Sequence, residues 1–257
     1  MSDSKPPKPP ASETLPAHLD YLKLVYVREH YEILAREAAA DQWGHVDYLA
    51  SLIQGEALAR QQRSIQRRIH QARFPVIKTL EPFQWTWPRK INRLQVQNLF
   101  RLKFIEDNAN VIFLGGVGLG KTHLASALGY AACQKGHSVL FATAVDVINT
   151  LTAAQNAGRL KPAFSRYLKP TLLILDELGY LPIDKTGADL LFQIISQRYE
   201  RGSLVVTSNR VFKKWPEIFN NDSTLASAVL DRLLHHAHTV TIQGRSYRMK
   251  DQIEPPE

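Results

Sequence analysis

Past residue 110 the chain falls into short apolar runs separated by longer stretches of helical periodicity. The runs, at residues 111–114, 139–142, 172–175, 204–207 and 239–242, are unbroken rather than alternating, as in strands buried on both faces. Strands alternating with helices predict an α/β fold built on one parallel sheet flanked by helices. Upstream the texture differs. Residues 16–40 are rich in helix formers, with Leu22, Val25, Tyr26, Ile33 and Leu34 at helical intervals, and Trp43-Gly44 reads as the end of that helix. A second helix is predicted over 46–72; in its later half Leu58, Ile65, Ile69 and Ala72 fall on one side, and Arg60, Arg63 and Arg67 on the other. Phe74-Pro75 stops it, and a connector rich in proline and tryptophan follows over 81–88. The predicted organisation is a polar, disordered tail at 1–14, a small all-helical domain at 15–80 for DNA binding and assembly, and the sheet domain at 81–257.

Composition narrows the class. With 257 residues, 44% hydrophobic and 22% charged, the chain can bury a globular core and is neither fibrous nor largely disordered. A single cysteine, Cys133, excludes a disulfide scaffold and reads as a small core residue. No apolar run approaches the roughly 18 residues of a membrane-spanning helix. The first residues lack the apolar core of a secretory signal, so a cytoplasmic protein without a membrane partner is expected.

The net charge of +8 is unevenly spread: residues 58–105 carry eleven Lys and Arg against one acid, Glu81, whereas residues 13–56 carry three against eight. That basic segment predicts duplex DNA as a partner, with phosphate contacts from Arg60, Arg63, Arg67, Arg68 and Arg73. A solvated face is the alternative.

The sharpest chemical signal is Gly115-Gly116-Val117-Gly118-Leu119-Gly120-Lys121-Thr122, which satisfies G-x-x-x-x-G-K-[ST] between a predicted strand and a predicted helix over 122–134. Glycines let backbone N–H groups wrap a phosphate chain, and the helix N-terminus adds partial positive charge. Lys121 is suited to the β- and γ-phosphates of ATP and the Thr122 hydroxyl to Mg²⁺. The run from Gly115 through Thr122, together with His123, forms the candidate nucleotide-binding set. The strand at 172–175 runs into Asp176-Glu177, which places two carboxylates beyond the sheet's carboxyl edge. Asp176 would hold Mg²⁺ through its water shell, and Glu177 would polarise the attacking water. Asn209, after the strand at 204–207, could bond both that water and the γ-phosphate, unless Ser208-Asn209 is simply a turn.

These residues resemble an AAA+ ATPase, and more narrowly the IstB-like ATP-binding proteins of insertion sequences, relatives of bacterial helicase loaders. The likeness covers about residues 15–250 and lies in Arg73-Phe74-Pro75, the phosphate loop running into His123-Leu124-Ala125, Asp176-Glu177-Leu178-Gly179-Tyr180, Thr207-Ser208-Asn209-Arg210 and Leu230-Asp231-Arg232-Leu233-Leu234-His235-His236. It implies a P-loop NTPase sheet domain. It also implies that Asn209 is a first sensor, Arg232 an arginine finger acting on a neighbouring subunit's γ-phosphate, and Arg248 a second sensor. Arg232 could instead be a surface arginine paired with Asp231, and Arg245 competes with Arg248. Only 15 residues follow the last predicted strand, so the usual helical lid is expected to be missing and a neighbouring subunit to close the site. Resemblance further implies a homo-oligomer that assists the transposase of the same insertion sequence in target selection. A helicase loader is the runner-up, and a metabolic P-loop kinase is disfavoured by the late arginine and the basic front segment.

Weaker features remain. Phe83, Trp85 and Trp87 alternate as a strand would, for packing between the two parts or for flanking an adenine. His235, His236 and His238 have no cysteine nearby, and their spacing does not match a closed zinc site.

Overall fold

The computed structural model describes residues 11–249. The chain divides into two compact units, Met1–Gln66 and Arg67–Glu257. Most of the expected tail lies outside the described residues, but the segment from Ala11 onward is already helical.

The first unit holds α1 (Ala11–Tyr21), α2 (Val25–Ala40) and most of α3 (His45–Ala72). The single helix expected over 16–40 is therefore two. Lys23 adopts a left-handed φ of 55° between them, and the Leu24 N–H bonds the Leu19 carbonyl, which folds Leu24 back onto the small core of Leu19, Val27 and Leu52. Glu56 of α3, only 4% exposed, takes the place of a local cap at the start of α2: its carboxylate accepts the Tyr26 N–H at 2.8 Å and the Val27 N–H at 3.4 Å. A negative charge there also meets the positive end of the helix dipole. Much of this unit's apolar surface stays outside, Leu22, Val25, Ile33 and Leu58 all being exposed, so the side of α3 expected to bury Leu58 does not do so there.

The second unit begins within α3, where Ile69 and Ala72 are buried. Arg73 ends the helix in a left-handed conformation, φ 59°. The connector belongs to this unit: the Phe74 ring sits over Gly129 and edge-on to Phe141, and Lys90 pairs with Gln243. This is why the division falls within α3 and not at 81–88. There follow α4 (Arg93–Leu99), α5 (Lys103–Glu106), β1 (Asn110–Gly115), α6 (Lys121–Gln134), β2 (Val139–Thr143), α7 (Ala144–Asn156), α8 (Leu160–Leu168), β3 (Leu172–Leu178), α9 (Lys185–Arg198), β4 (Ser203–Ser208), α10 (Trp215–Ile218), α11 (Ser223–Leu234) and β5 (Ala237–Ile242).

The five strands form one parallel sheet in the order β2-β3-β4-β1-β5. All five expected runs are strands, extended by one to three residues, and buried side chains of β1 to β4 share one core with α7, α8, α9 and α11. Cys133 is buried on α6, and burial pushes its thiol up to about 11.

Arg198, 2% exposed, supports the sheet from below. Its Nη1 donates to the carbonyls of Tyr167, Leu168 and Pro170, and its Nη2 to those of Thr171 and Ser203, at 2.8–3.3 Å. Burial depresses this guanidinium to about 10, so it remains charged at neutral pH. Among the described residues no helix is long and apolar enough to cross a membrane.

Candidate functional site

In this strand order β1 runs between β4 and β5, while the chain leaving it through α6 returns at the far edge as β2. The crevice beyond the carboxyl ends of β1, β4 and β3 is therefore where an open α/β sheet binds ligands. The phosphate loop emerges into it from β1. Gly118 and Gly120 have left-handed φ of 74° and 87°, and a Cβ at either would lie 2.0 Å from Ser246 Oγ or 2.7 Å from the Phe83 ring. Only glycine fits both the backbone turn and the space.

A cavity of about 560 Å³ opens on this loop. Gly118, Leu119, Gly120, Lys121, Thr122 and His123 line it, together with Phe83, Trp87, Tyr247 and Arg248; Gly115, Gly116 and Val117 lead into the loop without lining it. Pockets of about 300–1,000 Å³ are typical for cofactor-sized ligands. A wider hollow of about 1020 Å³, bordered by Trp87, Arg89, Lys90 and Arg245, adjoins it but takes in none of the phosphate loop.

The polar groups converge. Lys121 Nζ donates to the Gly116 carbonyl at 2.7 Å, which curls the side chain over the loop. Burial draws its ammonium below the usual range; Asp176 opposes that shift and Arg248 adds to it. Thr122 Oγ1 lies 3.0 Å from both oxygens of Asp176, which is 3% exposed. Thr207 Oγ1, on β4, donates to Asp176 Oδ1 at 2.5 Å and accepts the Glu177 N–H at 3.0 Å. The pairing of β3 with β4 slips between Leu175 and Leu178, and Glu177 has a left-handed φ of 60° with its side chain exposed. The irregularity frees Asp176 and Glu177 from the ladder with β4, while Asp176 still pairs with Thr143 of β2. Strain of this kind is retained where surrounding contacts over-determine it, and here Thr207 is such a contact.

Asn209 follows β4. Ser208 makes the local turn, its Oγ accepting the Arg210 N–H at 3.1 Å, while Asn209 Oδ1 is buried with no hydrogen-bond partner. The turn expected for the pair is thus made by Ser208, and Asn209 keeps a buried, unpartnered amide oxygen. A buried amide oxygen without a partner, a cradle that any Cβ would fill and a hydroxyl–carboxylate pair together fit a triphosphate and its divalent ion.

Other expected residues take different places. The His123 ring turns away from the loop: Nε2 meets the Thr79 carbonyl at 2.8 Å and the ring stands edge-on to Phe83, while burial draws its imidazole below the usual range. Its side chain therefore fastens α6 to the connector. Arg248 faces the cavity from a short 3-10 turn, Tyr247–Met249, tied to the loop by the Tyr247 N–H bonding the Gly118 carbonyl. Arg232 does not line the cavity. Its Nη1 bonds the Ala228 carbonyl, and its guanidinium lies 4.9 Å from the Phe192 ring centre, not against Asp231. Trp87 Nε1 bonds the Arg245 carbonyl and its ring meets Tyr247 edge-on, which draws Arg245 toward the connector and leaves Arg248 at the cavity.

The arginines expected on DNA are not equivalent. Arg63 Nη2 donates to Glu56 at 2.8 Å, and Arg60 reaches Glu56 at 3.6 Å and the Lys23 carbonyl at 3.2 Å. Counting charges by segment missed this, because Glu56 lies just upstream of the basic stretch but one turn from Arg60 on the helix. Arg67, Arg68 and Arg73 make no ion pair among the described residues. Thr207 enters the sequence reading only within the Thr207-Ser208-Asn209-Arg210 likeness, without a role; the further signal was a hydroxyl in an otherwise apolar strand.

The chain is similar to several known proteins. The ATP-binding protein of insertion sequence IS21 from Pseudomonas aeruginosa is 43% identical over 91% of this chain and 88% of its own length. That of IS5376 from Geobacillus stearothermophilus is 38% identical over 90% and 92%. Among solved structures, AMPPCP-bound DnaA from Aquifex aeolicus has a TM-score of 0.56 at 21% identity, covering 70% of this chain and 54% of that one. The DnaC helicase loader has 0.52 at 22%, covering 64% and 96%. At those identities the likeness is one of fold, an AAA+ P-loop sheet. The profile of the IstB-like ATP-binding proteins runs from residue 17 to residue 255 and takes in the whole described site, so the chain belongs to that family.

Proposed function

We propose that this protein is a Mg²⁺-dependent ATPase that assembles on duplex DNA as a homo-oligomer and assists the transposase of its own insertion sequence in choosing a target. The observation that carries the reading is a glycine cradle whose Lys121 and Thr122 line one cavity, with Thr122 hydrogen-bonded to the buried carboxylate of Asp176 and Glu177 next to it in the chain.

Lys121 and the loop's N–H groups hold the β- and γ-phosphates. Thr122 Oγ1 and, through water, Asp176 would hold Mg²⁺, which would supply positive charge at those phosphate oxygens. Glu177 receives the proton of the attacking water as its oxygen bonds the γ-phosphorus and the bond to the bridging oxygen of ADP breaks. Asn209 Oδ1 orients that water, and Arg248 senses the γ-phosphate. Arg232, remote from its own cavity, serves the site of a neighbouring subunit, where its planar, permanently charged fork suits phosphate oxygens. Exposed Leu22, Val25 and Ile33 support self-association. Arg67, Arg68 and Arg73 supply the principal DNA-phosphate contacts, with Arg60 and Arg63 adding what Glu56 leaves free.

The two relatives named above are insertion-sequence proteins, whereas the helicase-loader likeness concerns the fold. Mixing experiments test the reading. Glu177→Gln and Arg232→Ala are each expected to be inactive, and their mixture to regain ATP turnover, because a composite interface sets an intact Arg232 against an intact Glu177. No regain refutes action between subunits. Assembly on duplex DNA without a helicase supports the transposition role, and a strict helicase requirement favours a loader.

A further inference from the structure

Outside the nucleotide site the described residues bring three metal-capable side chains together: Glu200, in the turn after α9, and His235 and His236, at the C-terminal end of α11. Glu200 Oε1 lies 3.9 Å from His235 Nδ1 and 3.8 Å from His236 Nε2, and one donor atom from each residue falls within 4.8 Å of the other two. Tetrahedral zinc with bonds of about 2.0–2.2 Å needs donors about 3.3 Å apart. These side chains are exposed, so side-chain rotations can close about half an ångström from Glu200 to each imidazole and up to about 1.5 Å across the whole donor set. The Tyr199 hydroxyl bonds His235 Nδ1 at 2.8 Å. Nδ1 is also the His235 atom that faces Glu200, so a ring binding through it exchanges the tyrosine hydroxyl for the ion. Two imidazoles and one carboxylate suit zinc-class ions and not Mg²⁺, which prefers oxygen donors and its own water.

Position gives the cluster a consequence. Glu200 directly follows α9 and its terminal turn, and α9 also carries Phe192; the histidines end α11, which carries Arg232. The guanidinium of Arg232 rests 4.9 Å from the Phe192 ring centre. An ion bridging Glu200 to the histidines would fasten together the two helices that hold this arginine within its own subunit.

We propose that Glu200, His235 and His236 form a three-ligand site for a divalent transition ion of the zinc class, and that the bound ion clamps α11 to α9 and restrains Arg232. The restraint rests on the role given to Arg232 above; the site does not.

The test uses the full chain without nucleotide, with Co²⁺ as a visible-absorbing probe and Zn²⁺ as competitor. One Co²⁺ per chain is expected, displaced by Zn²⁺, with affinity falling at least tenfold in Glu200→Gln and in the double variant His235→Ala/His236→Ala. All three residues are exposed, so these variants keep the fold. Equal uptake by wild type and variants, or none by wild type, overturns the site whether or not the protein hydrolyses ATP. With Mg²⁺-ATP present, Zn²⁺ is expected to slow turnover of the wild type and not of the double variant. Equal sensitivity overturns the clamp.

Discussion

Replacing Thr207 by valine removes one hydroxyl and almost no volume, and the hydroxyl holds two parts of the site. Thr207 is 1% exposed; its Oγ1 donates to Asp176 and accepts the Glu177 N–H. A hydrogen bond to a charged group contributes about 1.5–3 kcal/mol and a neutral one about 0.5–1.5 kcal/mol, so the loss comes to about 2–4 kcal/mol of stability. Asp176 keeps Thr122, which sets the cost toward the lower end. The effect on turnover arises at Glu177. Its left-handed φ of 60° costs about 1–2 kcal/mol for a residue with a Cβ. Without its tether the backbone relaxes toward an extended conformation that turns the carboxylate to the other face of the strand. The rate constant for turnover is then expected to fall about 10- to 100-fold, a change of about 1.4–2.7 kcal/mol in the barrier. ATP affinity should hold, because the loop and Lys121 are untouched. Urea unfolding and steady-state ATPase assays measure both effects, and Thr207→Ser, which retains the hydroxyl, is expected to restore most of each. A Thr207→Val protein that loses stability yet hydrolyses ATP at the wild-type rate would refute Thr207's part in positioning Glu177.

Two further changes probe separate parts of the molecule. Lys121→Ala is expected to abolish ATP binding in a titration with a fluorescent nucleotide, since the buried ammonium faces the cavity, and normal affinity would remove the loop from its assigned role. Arg198→Met leaves the carbonyls of Tyr167, Leu168, Pro170, Thr171 and Ser203 without their donor, those bonded from Tyr167 and Ser203 being buried and the other three partly so. It should cost about 3–5 kcal/mol in urea unfolding; a loss below about 1 kcal/mol would mean that water satisfies those acceptors.

The strands, the phosphate loop and the Asp176-Glu177 pair were all legible in the sequence, because each is written in neighbouring residues: an unbroken apolar run, a fixed glycine spacing, two acids at a strand end. The same locality explains what escaped. Periodicity sees a helix over 16–40 but not the fold-back at Lys23, which a small core formed with distant Leu52 favours. A count of charges sees Arg60 and Arg63 but not Glu56, whose carboxylate the α2 terminus also claims. Thr207 reaches Asp176 across 31 positions only because β3 and β4 are neighbours, and Glu200 meets His235 and His236 only where α9 and α11 end together. Local periodicity and spacing determine which elements form and which of them carries the loop. Which side chains share a proton, a charge or an ion depends on strand order and helix packing, where groups far apart in the chain are buried side by side and must satisfy one another.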